Sequence, residues 1–123
     1  MKKLVYLISP NKIHNNFYND LKKVLSAKNV KFFQLRLKKV KTNKIIKIAK
    51  KIKSITRKYK VKLIINDSAN ISKIVNADGC HLGQKDINIL KARKIISKKI
   101  IGITCHNSIK LAKAAIKNKA DYI

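Results

Sequence analysis

The chain has 123 residues and a mass of 14.0 kDa, room for one domain with a modest core, and 46% of its residues are hydrophobic, an ordinary share for a globular protein. Lys and Arg number 31 against five Asp and no Glu, a formal net charge of +26, and two cysteines, Cys80 and Cys105, are too few for a disulfide framework. No segment approaches the roughly 18 consecutive apolar residues that cross a bilayer, so composition excludes a helical membrane span and a disulfide-stapled fold, and a reducing cytoplasm is the expected compartment.

In chain order, Met1-Lys2-Lys3 precedes a first apolar run, Leu4 to Ile8. It is too short for a signal-peptide core and stops at Ser9-Pro10 with no small-residue cleavage site behind it, so it reads as a strand. Phe17, Leu21, Val24 and Leu25 recur at helical spacing, Val30 to Leu35 forms a second strand, and Ile45, Ile48, Ala49 and Ile52 mark a helix capped by Thr42. Lys62 to Ile65 is a third strand, followed by a helix capped by Ser68 and carrying Ile71, Ile74 and Val75. Gly79 to Leu82 is a fourth, and Asn88 caps the helix of Ile89, Ala92, Ile95 and Ile96. Ile100 to Thr104 is a fifth, and Asn107 or Ser108 caps the stripe of Leu111, Ala112, Ala115 and Ile116. Ala120 to Ile123 reads as a sixth strand. No linker or low-complexity block divides residues 1–123.

Strict β-α alternation implies parallel strands joined by right-handed crossovers, and strands buried on both faces should be continuously apolar, as these are. A (β/α)₈ barrel and an open doubly wound sheet both satisfy the pattern. The first connection, Ser9-Pro10-Asn11-Lys12, has no glycine, which counts against a dinucleotide-binding fold.

The basic excess suggests a polyanionic partner, but it is almost all lysine, spread evenly among Ile and Asn. All three have AT-rich codons, so a genome of low GC content produces this balance, and nucleic-acid recognition would require clustering on one face. Non-specific adhesion to polyanions is expected, and no specific nucleic acid.

Functional groups of parallel α/β folds gather at the C-terminal ends of the strands, where the polar exceptions lie. Strand two ends in Gln34-Leu35-Arg36-Leu37-Lys38, strand three in Asn66-Asp67, strand four runs into His81-Leu82-Gly83-Gln84-Lys85-Asp86, and strand five ends in Thr104-Cys105-His106. Asp67 and Asp86 fall on neighbouring strand ends. Magnesium is typically held by one or two carboxylates with phosphate oxygens and water, and Arg36 and Lys38 suit the remaining phosphate charge.

Gln34-x-Arg36-x-Lys38, Ile65-Asn66-Asp67, Ala77-Asp78-Gly79-x-His81-Leu82-Gly83-Gln84-x-Asp86, Gly102-x-Thr104-x-His106 and Ala120-Asp121-Tyr122 occur in the order and spacing of thiamine-phosphate synthase, which the chain resembles from about Leu4 onward. The resemblance implies a (β/α)₈ TIM barrel that couples hydroxymethylpyrimidine diphosphate to thiazole phosphate and releases pyrophosphate. It implies substrate contacts from the run Gln34, Leu35, Arg36, Leu37, Lys38 and from Asn66, magnesium at Asp67 and Asp86, and Thr104 where the family usually has a pyrophosphate-contacting serine. Pyrophosphate departs from an electron-rich pyrimidinylmethyl carbon, leaving a stabilised cation. The protein therefore has mainly to neutralise the leaving group and position the thiazole nitrogen. No general base is required and no catalytic residue is assigned.

Three departures stand out. Leu37 occupies a position that is often Glu in the family, and Lys119 replaces the usual glycine before Ala-Asp-Tyr, so the chain must turn there at Asn118 or at some cost. Five βα units and a strand fill residues 1–123 at about 23 residues each, whereas eight need about 180 or more. The family's thiazole-phosphate loop and last units are expected beyond Ile123, so the domain reads as an incomplete barrel, inactive alone and prone to self-association at open edges.

Structural roles compete with the functional ones. Asp67 suits an N-cap, Asp86 a turn, His81 a hydrogen-bonded core position, and Gln34 and Lys38 solvated edge positions. Zinc at Cys80, His81, Cys105 and His106 is disfavoured because adjacent strand residues face opposite ways. The related thiazole tautomerase does not need the diphosphate-binding set retained here, and a non-catalytic basic fragment is the remaining alternative.

Overall fold

The computed structural model describes residues 3–123; Met1 and Lys2, the flank of the signal-peptide reading, lie outside them. The elements alternate strictly: β1 (Val5–Ile8), α1 (Phe17–Leu25), β2 (Val30–Leu35), α2 (Thr42–Lys58), β3 (Lys62–Asn66), α3 (Ala69–Val75), β4 (Gly79–Leu82), α4 (Ile89–Ile96), β5 (Ile100–Ile103) and α5 (Ile109–Lys117). All neighbouring strands are parallel, in the spatial order β1-β2-β3-β4-β5. The expected sixth strand is present as a single parallel bridge, Gly102 to Tyr122, flanked by Asp121 N–H to Ile101 O (2.8 Å) and Ile103 N–H to Tyr122 O (3.1 Å).

The strand order is sequential. A doubly wound sheet reverses direction at a switch point; here each strand is laid beside its predecessor, so right-handed crossovers put every helix on the same face. The sheet is not closed among the described residues.

The register sorts the side chains into two faces. Phe33, Leu35, Leu63, Ile65, Cys80, Leu82, Ile101 and Ile103 point toward the helices and are buried against residues such as Leu21, Ala49, Ile52, Val75, Ala92 and Ala115. Burying a side chain of this size stabilises by about 1.5–3 kcal/mol, which makes this layer the main source of stability. The opposite, inner face carries Tyr6, Ile8, Phe32, Gln34, Ile64, Asn66, His81 and Thr104. Tyr122 reaches back across it, its hydroxyl 2.6 Å from that of Tyr6, so the first strand and the last bridge meet over the concave side.

Two glycines permit that curvature. A Cβ on Gly102 would overlap the Tyr122 ring, and one on Gly79 would overlap the backbone of Ile100. At the other end of the strands Asp78 Oδ2 accepts from Leu63 N–H (2.8 Å), and Asp121 Oδ2 repeats this one unit on, accepting from Ile101 N–H (2.8 Å) and pairing with Arg93 (2.7 Å). The two Ala-Asp motifs are thus structural staples.

Several expectations need correction. Thr42 is the first residue of α2, not its cap; Lys41 holds the cap position in extended conformation and offers no side-chain acceptor. Ser68, Asn88 and Ser108 cap as expected, each accepting from the backbone N–H three residues on. Val24, Ile74 and Ile116 share the helical stripes yet are exposed, because each short helix touches the sheet along a line narrower than its apolar arc. The glycine-substituted turn is made by Lys119 itself, at φ 61°, and not by Asn118.

Candidate functional site

The polar side chains gather at the C-terminal rim of the inner face. Strand alternation sends Gln34 and Arg36 inward and Leu35 between them outward, and parallel pairing aligns Asn66 with His81. A cavity of about 430 Å³ is lined by Tyr6, Ile8, Gln34, Arg36, Asn66, His81, Thr104, Tyr122 and Ile123. Gln34 is buried at 4% exposure and donates from Nε2 to Tyr6 Oη at 2.9 Å, which removes the solvated-edge reading for it.

Leu35 and Leu37 do not face this cavity. Leu35 is 2% exposed in the core beneath the helices and Leu37 packs against the same core, so neither side chain can touch a substrate there. The side chains that line the cavity are those at alternate positions, Gln34 and Arg36, while Lys38 pairs with Asp67.

The β1–α1 loop positions this rim. Ser9 Oγ accepts from Arg36 N–H at 2.9 Å and Asn11 Oδ1 accepts from Lys38 N–H at 2.6 Å. Sequence reading treated that loop only as one lacking glycine. Its signal was present in two polar side chains at the end of the first strand, where this fold concentrates function.

Asp67 lies just past β3 in the left-handed region, φ 65°. That conformation is uncommon for a non-glycine residue and is more tolerable for Asp than for most. Its carboxylate does not cap α3, a role taken by Ser68; Lys38 Nζ lies 2.5 Å from its Oδ2. Asp86 Oδ2 accepts from Gly83 N–H at 2.7 Å, so it does hold its turn. Burial lifts the Asp86 carboxyl above its ordinary range; the Gly83 N–H opposes this, the negative charge of Asp67 adds to it, and Lys38 opposes it again. Two carboxylates close enough to repel make a place where a cation is favourable, and the Lys38 ammonium already supplies part of that positive charge.

Their oxygens are hard donors. Among the described residues no group of three or more His, Cys, Asp or Glu side chains is placed to hold a metal alone. The pair therefore fits a cation that takes few protein ligands and completes its shell with phosphate and water, as magnesium does. A zinc set does not form: Cys80 is buried on the helix side, His81 faces the cavity, and His106 is exposed.

Burial pushes the Cys80 thiol up to about 12, so it carries no thiolate. Both imidazole nitrogens of His81 are engaged, Nδ1 with Tyr122 Oη at 3.0 Å and Nε2 with Thr104 Oγ1 at 2.8 Å. The hydrogen-bonded reading of His81 holds, and the ring has no free nitrogen to serve as a base. Gln84 Nε2 donates to Thr104 O at 2.7 Å and ties the loop after β4 to the end of β5. Tyr6 and Tyr122 are further site residues that sequence reading missed; the alternation of β1 and the Ala-Asp-Tyr motif were the signals for them.

The thiamine monophosphate synthase family model matches residues 5–123. The chain belongs to that family. A thiamine-phosphate synthase of Pelagibacter ubique is 64% identical over 124 residues, which cover 99% of this chain and 59% of that protein. The thiamine-phosphate synthase of Clostridium acetobutylicum is 38% identical, covering 97% of this chain and 57% of its own length. A solved structure of thiamine phosphate pyrophosphorylase from Pyrococcus furiosus superimposes with a TM-score of 0.84 at 29% identity, over 98% of this chain and 58% of that one. The chain thus spans less than two thirds of the length of these members of the thiamine monophosphate synthase family. Among the described residues no helix is long and apolar enough to cross a membrane.

Proposed function

We propose that this chain supplies the pyrimidine-diphosphate and magnesium half of a thiamine-phosphate synthase site, in which hydroxymethylpyrimidine diphosphate and thiazole phosphate are joined with loss of pyrophosphate. The observation that carries the reading is the juxtaposition of Asp67, Asp86 and Lys38 beside the cavity of Gln34, Arg36, Asn66 and Thr104. In the same reading the five-stranded sheet is part of a (β/α)₈ barrel, to which this chain contributes five βα units and the first pairing of a sixth strand.

Asp67 and Asp86 would hold Mg²⁺, whose charge offsets that developing on the leaving diphosphate. Arg36 and Lys38 add fixed positive charge around the same oxygens. Gln34 and Asn66 are amides able to both donate and accept, which suits the ring nitrogens and exocyclic amine of an aminopyrimidine. The pyrimidinylmethyl cation needs stabilisation and a positioned nucleophile but no proton abstraction, in agreement with a site whose histidine has both nitrogens committed. The open edges of β1 and of the Tyr122 segment are where a second copy or a further segment would pair.

Isothermal calorimetry of the chain with hydroxymethylpyrimidine diphosphate, with and without Mg²⁺, tests the assignment. Binding should require Mg²⁺ and should be lost in Asp67→Ala and Asp86→Ala at unchanged circular dichroism. Binding of equal strength in both variants and without the metal sinks it. Thiamine phosphate formation from the two substrates, measured alongside solution mass, reports whether the site turns over.

A further inference from the structure

Five side chains from β1, β2, β4, the end of β5 and the Tyr122 segment form one unbroken hydrogen-bond chain across the inner face. Gln34 Nε2 donates to Tyr6 Oη (2.9 Å), the Tyr6 and Tyr122 hydroxyls are 2.6 Å apart, Tyr122 Oη is 3.0 Å from His81 Nδ1, and His81 Nε2 is 2.8 Å from Thr104 Oγ1. Among the described residues no buried side-chain nitrogen or oxygen is left without a partner.

The chain has a direction. An amide NH₂ only donates, so Tyr6 Oη accepts from Gln34 and has its own proton to give. Passing it to Tyr122 leaves the Tyr122 proton for His81 Nδ1. The imidazole proton then sits on Nε2 and is donated to Thr104 Oγ1, and the Thr104 proton remains for the cavity. Reversing the Tyr6–Tyr122 bond would leave the Tyr6 proton without an acceptor in the chain. The packing agrees: Tyr122 stacks on His81 with ring centroids 5.5 Å apart and lies in the space over Gly102, so its hydroxyl is held in place.

The geometry points to Tyr122 and His81 as positioning residues that hold the imidazole as its neutral Nε2–H tautomer and so present the Thr104 hydroxyl to the cavity as a hydrogen-bond donor, the polarity a diphosphate oxygen needs. With the other tautomer Thr104 would donate to Nε2 and turn lone pairs toward an anion. This rests on the reading that a diphosphate occupies the cavity. The groups acting on His81 are Tyr122 and Thr104 by contact and Asp67 and Asp86 by charge. Burial lowers the imidazole's proton affinity more than the two carboxylates raise it, and burial keeps the Tyr122 phenol protonated well above the usual range.

Long-range ¹H–¹⁵N spectra of the histidine rings, recorded on the chain without ligand, read the tautomer directly. Wild type should show a proton on Nε2 of His81 and none on Nδ1. Tyr122→Phe keeps the ring over Gly102 and removes the donor to Nδ1, so the preference should collapse to a mixture. A wild-type ring protonated on Nδ1, or a Tyr122→Phe spectrum identical to wild type, overturns the assignment. Inorganic pyrophosphate titrated with Mg²⁺ present tests the consequence. Thr104→Val should weaken binding about tenfold or more and Tyr122→Phe about three- to tenfold, the scale of one hydrogen bond to a charged or a neutral group. Unchanged affinity in both variants overturns the donor role. A wild-type chain that binds no pyrophosphate overturns that role together with the reading it rests on, while the spectra still decide the tautomer.

Discussion

Alanine at Gly79 should be among the most damaging small substitutions in this chain. A Cβ there would stand 2.7 Å from the carbonyl carbon of Ile100, and its oxygen is closer still. The obstacle is backbone: Gly79 is paired with Ile100 in the β4–β5 register, and Ile100 N–H is bonded to Asp78 O at 3.0 Å. No rotamer change relieves the overlap, so β5 must shift. Overpacking of this kind costs about 1–3 kcal/mol, and we place Gly79→Ala near the top of that range. The buried bond from Ser72 Oγ to Gly79 O, 2.9 Å, moves with the strand, and its weakening adds about 1 kcal/mol. A total of about 3–4 kcal/mol is a large share of the 5–15 kcal/mol typical of a domain and corresponds to a fall in Tm of about 10–15 °C. Gly102→Ala is the control, because the obstacle there is the Tyr122 ring, a side chain that can swing aside. It should cost about 1–2 kcal/mol. Urea unfolding followed by far-UV circular dichroism measures both. A Gly79→Ala variant no less stable than Gly102→Ala would refute the reasoning.

Asp86→Asn keeps an acceptor for Gly83 N–H and removes a carboxylate whose protonation the fold favours. Because the folded-state pKa lies above the unfolded one, the cost of ionising Asp86 is absent below the ordinary carboxylate range and is full above its raised value. The variant should therefore melt higher than wild type at neutral pH without Mg²⁺, with the gap closing in acid; an equal gap at both pH values in thermal melts contradicts this. Lys119→Gly should stabilise by about 0.5–1 kcal/mol, since Lys119 holds φ 61° and a left-handed L-residue costs about 1–2 kcal/mol, partly offset by the greater freedom of glycine when unfolded; an unchanged urea midpoint contradicts it. Cys80, with its thiol pushed up to about 12, should resist a disulfide reagent at pH 8 until the chain unfolds. Labelling of Cys80 in the folded protein at the rate of a free thiol would contradict that.

Much of the fold was legible because parallel α/β chains carry redundant local signals. Val30–Leu35 and Gly79–Leu82 have the same bounds in sequence and structure, since each is a short, mostly apolar run with turn residues on both sides. Ser68, Asn88 and Ser108 were readable as caps because a cap acts within three residues of itself. Thr42 was misread because its hydroxyl suits a cap and the Lys41 side chain does not, whereas the backbone path from β2 decides which residue leaves the helix.

The site divides along the same line. Which residues are candidates for chemistry was legible from residue type and position at strand ends: Arg36, Lys38, Asn66, Asp67, Asp86 and Thr104 are polar where the strands stop being apolar, and that property belongs to the sequence alone. Which way those residues face, and what they touch, was decided by the tertiary structure. Leu35 and Leu37 stand in the same motif as Gln34 and Arg36, yet the pleat turns them into the core. The two carboxylates become a pair only because parallel pairing sets the end of β3 beside the loop that follows β4. The contact between Tyr6 and Tyr122 spans 116 residues. It exists because successive parallel strands laid side by side bring the Tyr122 segment within reach of β1, and no signal of local periodicity carries information over that distance.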